Sequence, residues 1–354
     1  MNKESHMTGH DMIALGASAG GVEALIAILR TLPKDLPAAL FVVLHIPAQS
    51  PSLLPDILNR ICPLIVLQPE DGVKIAYGHV YVAPPDHHLL IERGSLCVTR
   101  GPKENRHRPA IDPLFRSLAY SYGPRGTGVV LTGALDDGTS GLLAIKQRGG
   151  IAVVQDPDEA LYPSMPLSAI EHVPVDYRLP LAEIGPLLTR LAHEPVQTLQ
   201  LSPPPEDLQR EIRIAAMETN ALNEHEQIGK PSVYSCPECG GVLWETQDGN
   251  LLHFRCRTGH AFSPESVLAE QSEQLEHALW AALKTLEEKV SLMRRLALQA
   301  QENERSWLAQ RYEMQWRDAE EHAILLRRIL MQGTREPFAL VDEGGDEVDP
   351  ETPS

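Results

Sequence analysis

The sequence predicts a doubly wound α/β domain, a mostly parallel sheet with helices on both faces, followed by a small zinc-ribbon-like module and a helical C-terminal extension. Three observations lead there. In the first half, short near-continuous aliphatic runs alternate with amphipathic stretches, the pattern of strands buried on both faces by crossover helices. Composition then changes: Ser202-Pro203-Pro204-Pro205 reads as a stiff, extended linker, and Trp244, Trp280, Trp307 and Trp316, all four tryptophans of the chain, lie beyond it. Charge changes with it. Of a formal net charge of −17, the residues up to Pro195 carry −4 and the remainder −13.

The strand-like runs are Met12–Leu15, Ala39–Leu44, Leu64–Leu67, Val80–Ala83, Val129–Leu131 and Ile151–Val154. Helical periodicity occupies Val22–Thr31, Ser52–Ile61, Pro113–Tyr122 and Ser140–Arg148 between them. The stretch Val80–Thr99, with turn residues at Asp86-His87-His88 and Arg93-Gly94-Ser95, reads as an antiparallel excursion in the middle of the domain.

With 354 residues, 43% of them hydrophobic, the chain can bury one large core and a smaller one. The negative charge argues against a protein that coats nucleic acid or an anionic membrane. No run of 18 apolar residues is present, so no membrane insertion is expected, and Met1–His10 lacks the apolar stretch of a signal peptide. Five cysteines, three of them clustered, suit a reducing compartment and a metal better than disulfides, so a cytoplasmic location is expected.

Three polar positions fall at strand exits. The first strand runs into Gly16-Ala17-Ser18-Ala19-Gly20-Gly21, whose G-x-S-x-G spacing can stand a serine on a tight strand-to-helix turn. The following helix N-terminus offers backbone N–H groups to an oxyanion. A nucleotide-binding glycine turn is the alternative, but Ser18 stands where the second glycine of G-x-G-x-x-G belongs. The second strand ends in Val42-Val43-Leu44-His45. A later one ends in Thr132-Gly133-Ala134-Leu135-Asp136-Asp137-Gly138. Ligands of open α/β sheets collect beyond the carboxyl ends of the strands. There Ser18, His45 and Asp137 supply a nucleophile, a base and a group to orient the base. Their order differs from that of the α/β-hydrolase, chymotrypsin and subtilisin types.

These segments resemble the motifs of the CheB-type chemotaxis receptor methylesterase domain, as do Val82-Ala83-Pro84-Pro85-Asp86-His87-His88, Arg108-Pro109-Ala110-Ile111-Asp112-Pro113-Leu114-Phe115 and Met165-Pro166-Leu167-Ser168-Ala169-Ile170. The likeness covers roughly Met12 to Leu191. It implies hydrolysis of glutamate methyl esters on the signalling helices of a methylated chemoreceptor-like partner, with deamidation of glutamines as a second activity. It also implies Ser18 as nucleophile, His45 as base and Asp137 as orienter, with Ala19, Gly20, Ala134, Leu135 and Asp136 in the oxyanion and site loops and no cofactor for catalysis. Ala134-Leu135 stands where Met-Gly is usual, and Ala19 where threonine is common. A catalytically weak or inactive scaffold that acts as a signalling or binding module is therefore the competing expectation. A phospho-receiver, frequent ahead of such domains, is not expected, because the nucleophile strand begins at Met12; a separate regulatory protein or the C-terminal helices would replace it. Arg93, Arg100, Lys103, Arg106, Arg108, Arg116 and Arg125 form either a solvated surface or a patch that docks acidic receptor helices.

The expected boundaries are a catalytic domain over 9–195, a linker and helix over 196–230, a zinc-ribbon-like module over 231–264, a helical hairpin or coiled coil over 265–333 and a disordered acidic tail over 334–354. In the ribbon, Cys236-Pro237-Glu238-Cys239 and Cys256-Arg257-Thr258-Gly259-His260 present four ligands at spacings that suit a closed, structural zinc site, with His253 as an alternative fourth ligand. Cys62 and Cys97 read as core thiols. Leu268, Leu275, Leu279, Ala282, Leu286, Val290 and Met293 form a helical stripe that packs as a hairpin or, as the alternative, makes a coiled-coil oligomer or meets a partner helix.

Overall fold

The computed structural model describes residues 9–49, 52–196, 203–218, 221, 229–248 and 250–332. The acidic tail lies outside them. Two compact units are present, Met1–Leu268 and Ala269–Ser354.

The first unit is built on a seven-stranded sheet. Its strands are β1 (Met12–Ala17), β2 (Ala39–Leu44), β3 (Ile65–Leu67), β4 (His79–Val82), β7 (Gly126–Val130), β8 (Ile151–Gln155) and β9 (Tyr177–Leu179). They lie in the order β3-β4-β2-β1-β7-β8-β9, and every pair is parallel. Aliphatic residues on both sides of each strand explain this: β1 and β2 are buried at every position. Ile13, Leu15 and Ala17 enter one core with α1 (Gly21–Leu29) and α6 (Leu181–His193). Met12 and Ala14 face the other, with α3 (Ile111–Tyr122), α4 (Thr139–Gln147) and α5 (Ser164–His172). The chain leaves β1 for β2 on one side and returns to β7 on the other, so a crevice opens beyond the carboxyl ends of these three strands.

The antiparallel excursion is shorter than expected. Val80–Val82 belong to β4 of the parallel sheet, and only the hairpin of β5 (His88–Glu92) and β6 (Ser95–Thr99) is antiparallel. The cause is two-sided burial, since Val80, Tyr81 and Val82 are all enclosed.

The same unit holds α7 (Glu206–Ala215) and an antiparallel sheet of β10 (Lys230–Ser235), β11 (Val242–Asp248), β12 (Leu251–Cys256) and β13 (Ala261–Phe262). Leu243, Phe254, Phe262 and Val267 close a small core around Cys236 and Cys256. Buried ion pairs tie this module to the larger sheet: Glu104 meets Arg116 of α3 and, at 3.5 Å, Arg255 of β12, while Arg255 also meets Glu211 of α7.

The second unit comprises α8 (Pro264–Glu302) from Ala269 onward and α9 (Ser306–Gln332), an antiparallel hairpin. Leu283, Val290, Ala297 and Ala300 of α8 and Ala309, Ala319 and Ala323 of α9 are buried. Arg294 pairs with Glu320 at 2.5 Å and Arg327 with Glu287. Leu275 and Ala282 of the expected stripe are exposed instead. No described helix is long and apolar enough to cross a membrane.

Candidate active site

Ser18, His45 and Asp137 follow β1, β2 and β7, three adjacent strands of the sheet. The parallel register that pairs Ala17 with Leu44 and Gly16 with Val130 carries all three to one edge. Two backbone bonds lock the exits together: His45 N–H donates to Ala17 O (3.1 Å) and Ser18 N–H to Thr132 O (3.0 Å).

The turn holding Ser18 needs its glycines. Gly20 adopts φ +74°, in the left-handed region. A Cβ on Gly133 would lie 2.0 Å from Met165 Sδ and 2.8 Å from Ser18 Cβ. Ser18 is half-buried. Among the described residues, the N–H groups of Ala19 and Gly20 have no acceptor within the chain, which leaves donors beside the serine for a developing oxyanion.

His45 Nε2 lies 2.8 Å from Asp137 Oδ2, with both side chains buried. A carboxylate can only accept, so Nε2 carries the proton. Nδ1 is then the basic nitrogen, and it is buried without a hydrogen-bond partner. Asp137 also accepts from Ile111 N–H (2.7 Å), Asn105 Nδ2 (3.0 Å) and Asp112 N–H (3.3 Å). Burial alone would raise its proton affinity. The bond and charge of His45, with the Ile111 and Asn105 donors, overcome that and hold the carboxyl well below its ordinary range.

Three residues not expected from the sequence complete the surroundings. His107 stacks on His45 with ring centroids 3.6 Å apart, and burial together with the neighbouring His45 brings its imidazole down to about 3. Asp112, buried beside Asp137, is raised well above the ordinary range by burial and that charge, and accepts from Gly141 N–H at 2.6 Å. Asn105 bridges the two carboxyl groups. His107 and Asn105 sit in a polar run, Lys103–Arg108, that carries no periodicity to single them out.

In the site loop, Ala134 is exposed and Leu135 takes φ +61°, a left-handed conformation that costs a non-glycine residue about 1–2 kcal/mol. Asp136 receives Ser263 Oγ at 2.8 Å. Burial first, then the charge of Glu265, pushes its carboxyl up to about 7. The basic run is largely consumed internally: Arg100 and Arg108 bind Asp86, Lys103 binds Glu238, Arg116 binds Glu104 and Arg125 binds Asp11.

Cys236, Cys239, Cys256 and His260 come together with all four donor atoms within 4.8 Å of one another. Cys239 Sγ and Cys256 Sγ are 3.7 Å apart, and His260 Nδ1 is 3.5 Å from Cys256 Sγ and 3.7 Å from Cys236 Sγ. A tetrahedral zinc with bonds of about 2.3 Å to sulfur and about 2.0 Å to nitrogen needs separations of about 3.7 and 3.5 Å, so the donor set fits that ion. His253 is not in the cluster; it sits in β12 opposite Thr246, where burial brings it down to about 4.

A histidine held by a buried aspartate, at strand ends that also bear a serine, is an arrangement suited to hydrolysis. Residues 13–188 match the CheB methylesterase family. A putative protein-glutamate methylesterase/protein-glutamine glutaminase of Leptospira interrogans is 43% identical over 183 residues, covering 51% of this chain and 95% of that relative. The chain belongs to the CheB methylesterase family. The protein-glutamate methylesterase/protein-glutamine glutaminase of Hydrogenovibrio crunogenus is 40% identical over 179 residues, which are 49% of this chain and 47% of that longer relative. The crystal structure of the Thermotoga maritima CheB methylesterase catalytic domain is 34% identical, with a TM-score of 0.49 over 51% of this chain and 98% of that one.

Proposed function

We infer that this chain hydrolyses glutamate methyl esters on the signalling helices of a chemoreceptor-like protein and deamidates glutamines there. The observation that carries the reading is the His45–Asp137 pair at 2.8 Å, with His45 Nδ1 unpartnered at the strand ends that also bear Ser18. Ser18 Oγ attacks the ester carbonyl as its proton passes to His45 Nδ1. The N–H groups of Ala19 and Gly20 hold the oxyanion. His45 returns the proton to the ester's methoxy oxygen, which leaves as methanol, or to the amide nitrogen, which leaves as ammonia, and an acyl-enzyme remains. Water then gives up a proton to His45 and frees the carboxylate and the serine. Asp137 keeps its charge throughout and stabilises the imidazolium. No catalytic cofactor takes part.

Leu161, Tyr162 and Leu167 supply an exposed apolar rim suited to a helical substrate: Leu161 borders Gly20, and Tyr162 O accepts from Gly133 N–H. The catalytic domain is assigned to 9–195, the zinc-ribbon-like module to 231–264, with zinc in a structural role on Cys236, Cys239, Cys256 and His260. The C-terminal hairpin is assigned to contacts with another copy or a regulatory protein. Cys62 and Cys97 as unpaired thiols, with the other three cysteines assigned to zinc, fit a cytoplasmic location.

The test is methanol release from methylated receptor fragments by wild type and Ser18→Ala. Release that vanishes in the variant supports the esterase and its nucleophile together. No release by folded, zinc-loaded wild type across several receptors would overturn the reading in favour of a binding scaffold.

A further inference from the structure

The ribbon module reaches the active site at two places, the loop Lys103–His107 and Asp136 of the site loop. Residues Lys103–His107 carry Asn105 against Asp137 and His107 against His45. The outer edge of that loop is paired with β13: Asn105 N–H donates to Ala261 O (2.9 Å), and Ala261 N–H donates to Lys103 O (3.2 Å). Ala261 directly follows His260, the last residue of the cysteine and histidine cluster. Two residues further, Ser263 N–H donates to Asn105 Oδ1 (3.0 Å) and Ser263 Oγ to Asp136 Oδ1.

The direction of these bonds matters. A backbone N–H can only donate, so Ser263 requires the carbonyl oxygen of the Asn105 side chain to face the ribbon. The amide nitrogen must then face inward, and its two hydrogens meet Asp112 Oδ2 (2.9 Å) and Asp137 Oδ1 (3.0 Å). The flipped orientation would aim an oxygen at the Asp137 carboxylate and an N–H at the Ser263 donor, so the carboxyl groups inside and the ribbon outside select the same orientation. Asn105 also adopts φ +46°, a conformation that asparagine tolerates better than most residues and that the strand pairing holds in place.

We propose that Asn105 is a positioning residue for the His45–Asp137 pair and that the ribbon holds it there through Ala261 and Ser263, so that metal occupancy of the cysteine and histidine cluster sets the rate of a reaction it does not touch. The inference rests on the assignment of Ser18, His45 and Asp137 as the reacting set. The metal acts by folding the two turns that bear its ligands, as small zinc modules depend on their ion for structure. Loss of the ion frees β13, and the loop Lys103–His107 loses its outer partner.

The experiment uses the full chain. Asn105→Ala should lower kcat for methanol release about tenfold or more with KM unchanged, the equivalent of one hydrogen bond to a charged group, and should displace the acid limb of the pH–rate profile. Asn105→Gln, which keeps the amide chemistry on a longer stem, should recover part of the rate. Chelation of zinc should lower kcat in the same way and raise amide hydrogen exchange at Glu104, Asn105 and His107, with reloading by zinc reversing both. An Asn105→Ala enzyme with wild-type kcat and pH profile, or chelation that removes the metal and leaves exchange in the loop unchanged, would overturn the proposal. Ser18→Ala separates the two levels: if it retains activity the triad assignment fails, whereas an inactive Ser18→Ala beside an unaffected Asn105→Ala sinks the positioning role alone.

Discussion

Replacing Asp136 by asparagine should change how stability depends on pH. In the folded chain this carboxyl is pushed up to about 7 from 3.8, by burial and by the charges of Glu265 and Asp137 against the opposing bond from Ser263. Between those two values the folded state binds a proton that the unfolded state has released. The stabilisation is therefore complete below about pH 4 and is lost as pH rises through 7. About three pH units at about 1.36 kcal/mol each set a ceiling of ~4 kcal/mol. Partial solvent access at this half-buried residue reduces the figure to about 2–4 kcal/mol. Asparagine keeps the shape and an oxygen acceptor for Ser263 Oγ, but does not titrate. Urea unfolding of both proteins from about pH 4 to 8, followed by tryptophan fluorescence, reads Asp136 and its coupling to Glu265 and Asp137 in the difference between them, because titrating groups remote from it cancel. The wild type should lose about 2–4 kcal/mol relative to Asp136→Asn over that range, with the difference levelling above about pH 8. A difference that stays flat with pH would refute the reasoning.

Two further substitutions test the site directly. Asp137→Asn should lower kcat about 10³–10⁴-fold in the methanol-release assay, because the neutral amide cannot stabilise the imidazolium and at most one of its two terminal atoms accepts the donors now shared by His45, Asn105 and Ile111; a fall of less than tenfold would count against the triad. Gly133→Ala should lower the melting temperature by the equivalent of about 1–3 kcal/mol and slow acyl transfer, since its Cβ would sit 2.0 Å from Met165 Sδ and press on Ser18; wild-type stability and rate together would show that the close approach is relieved without cost.

The strand runs were legible because parallel strands buried on both faces need uninterrupted aliphatic residues, as Ala39–Leu44 and Ile151–Gln155 have. Elements that depart from that chemistry were hidden. β9 is only three residues long with an arginine at its centre, and α6 carries Pro186 inside a helix that its apolar face holds against α1. Ser18, His45 and Asp137 could be read because strand exits in an open α/β sheet point into one crevice. Asn105, His107 and Asp112 could not, because what makes them matter is a neighbour far along the chain. Asn105 resembles any polar turn residue until Ser263 N–H is set on its oxygen. Likewise, the charges of Arg100, Lys103, Arg108, Arg116 and Arg125 suggested a docking patch only while their acidic partners were unseen.

The bond from Ser263 to Asn105 closes across 158 residues. A ribosome adding about 5–20 residues per second needs roughly 8–30 s to make that stretch. For the later part of this interval, from residue 137 onward, the strands that lead to Ser18, His45 and Asp137 have all been synthesised, yet the residue bonded to the Asn105 oxygen has not. The seven strands are complete at Leu179, so a chain that ends between α6 and residue 263 carries every strand of the sheet while Asn105 lacks its Ser263 partner.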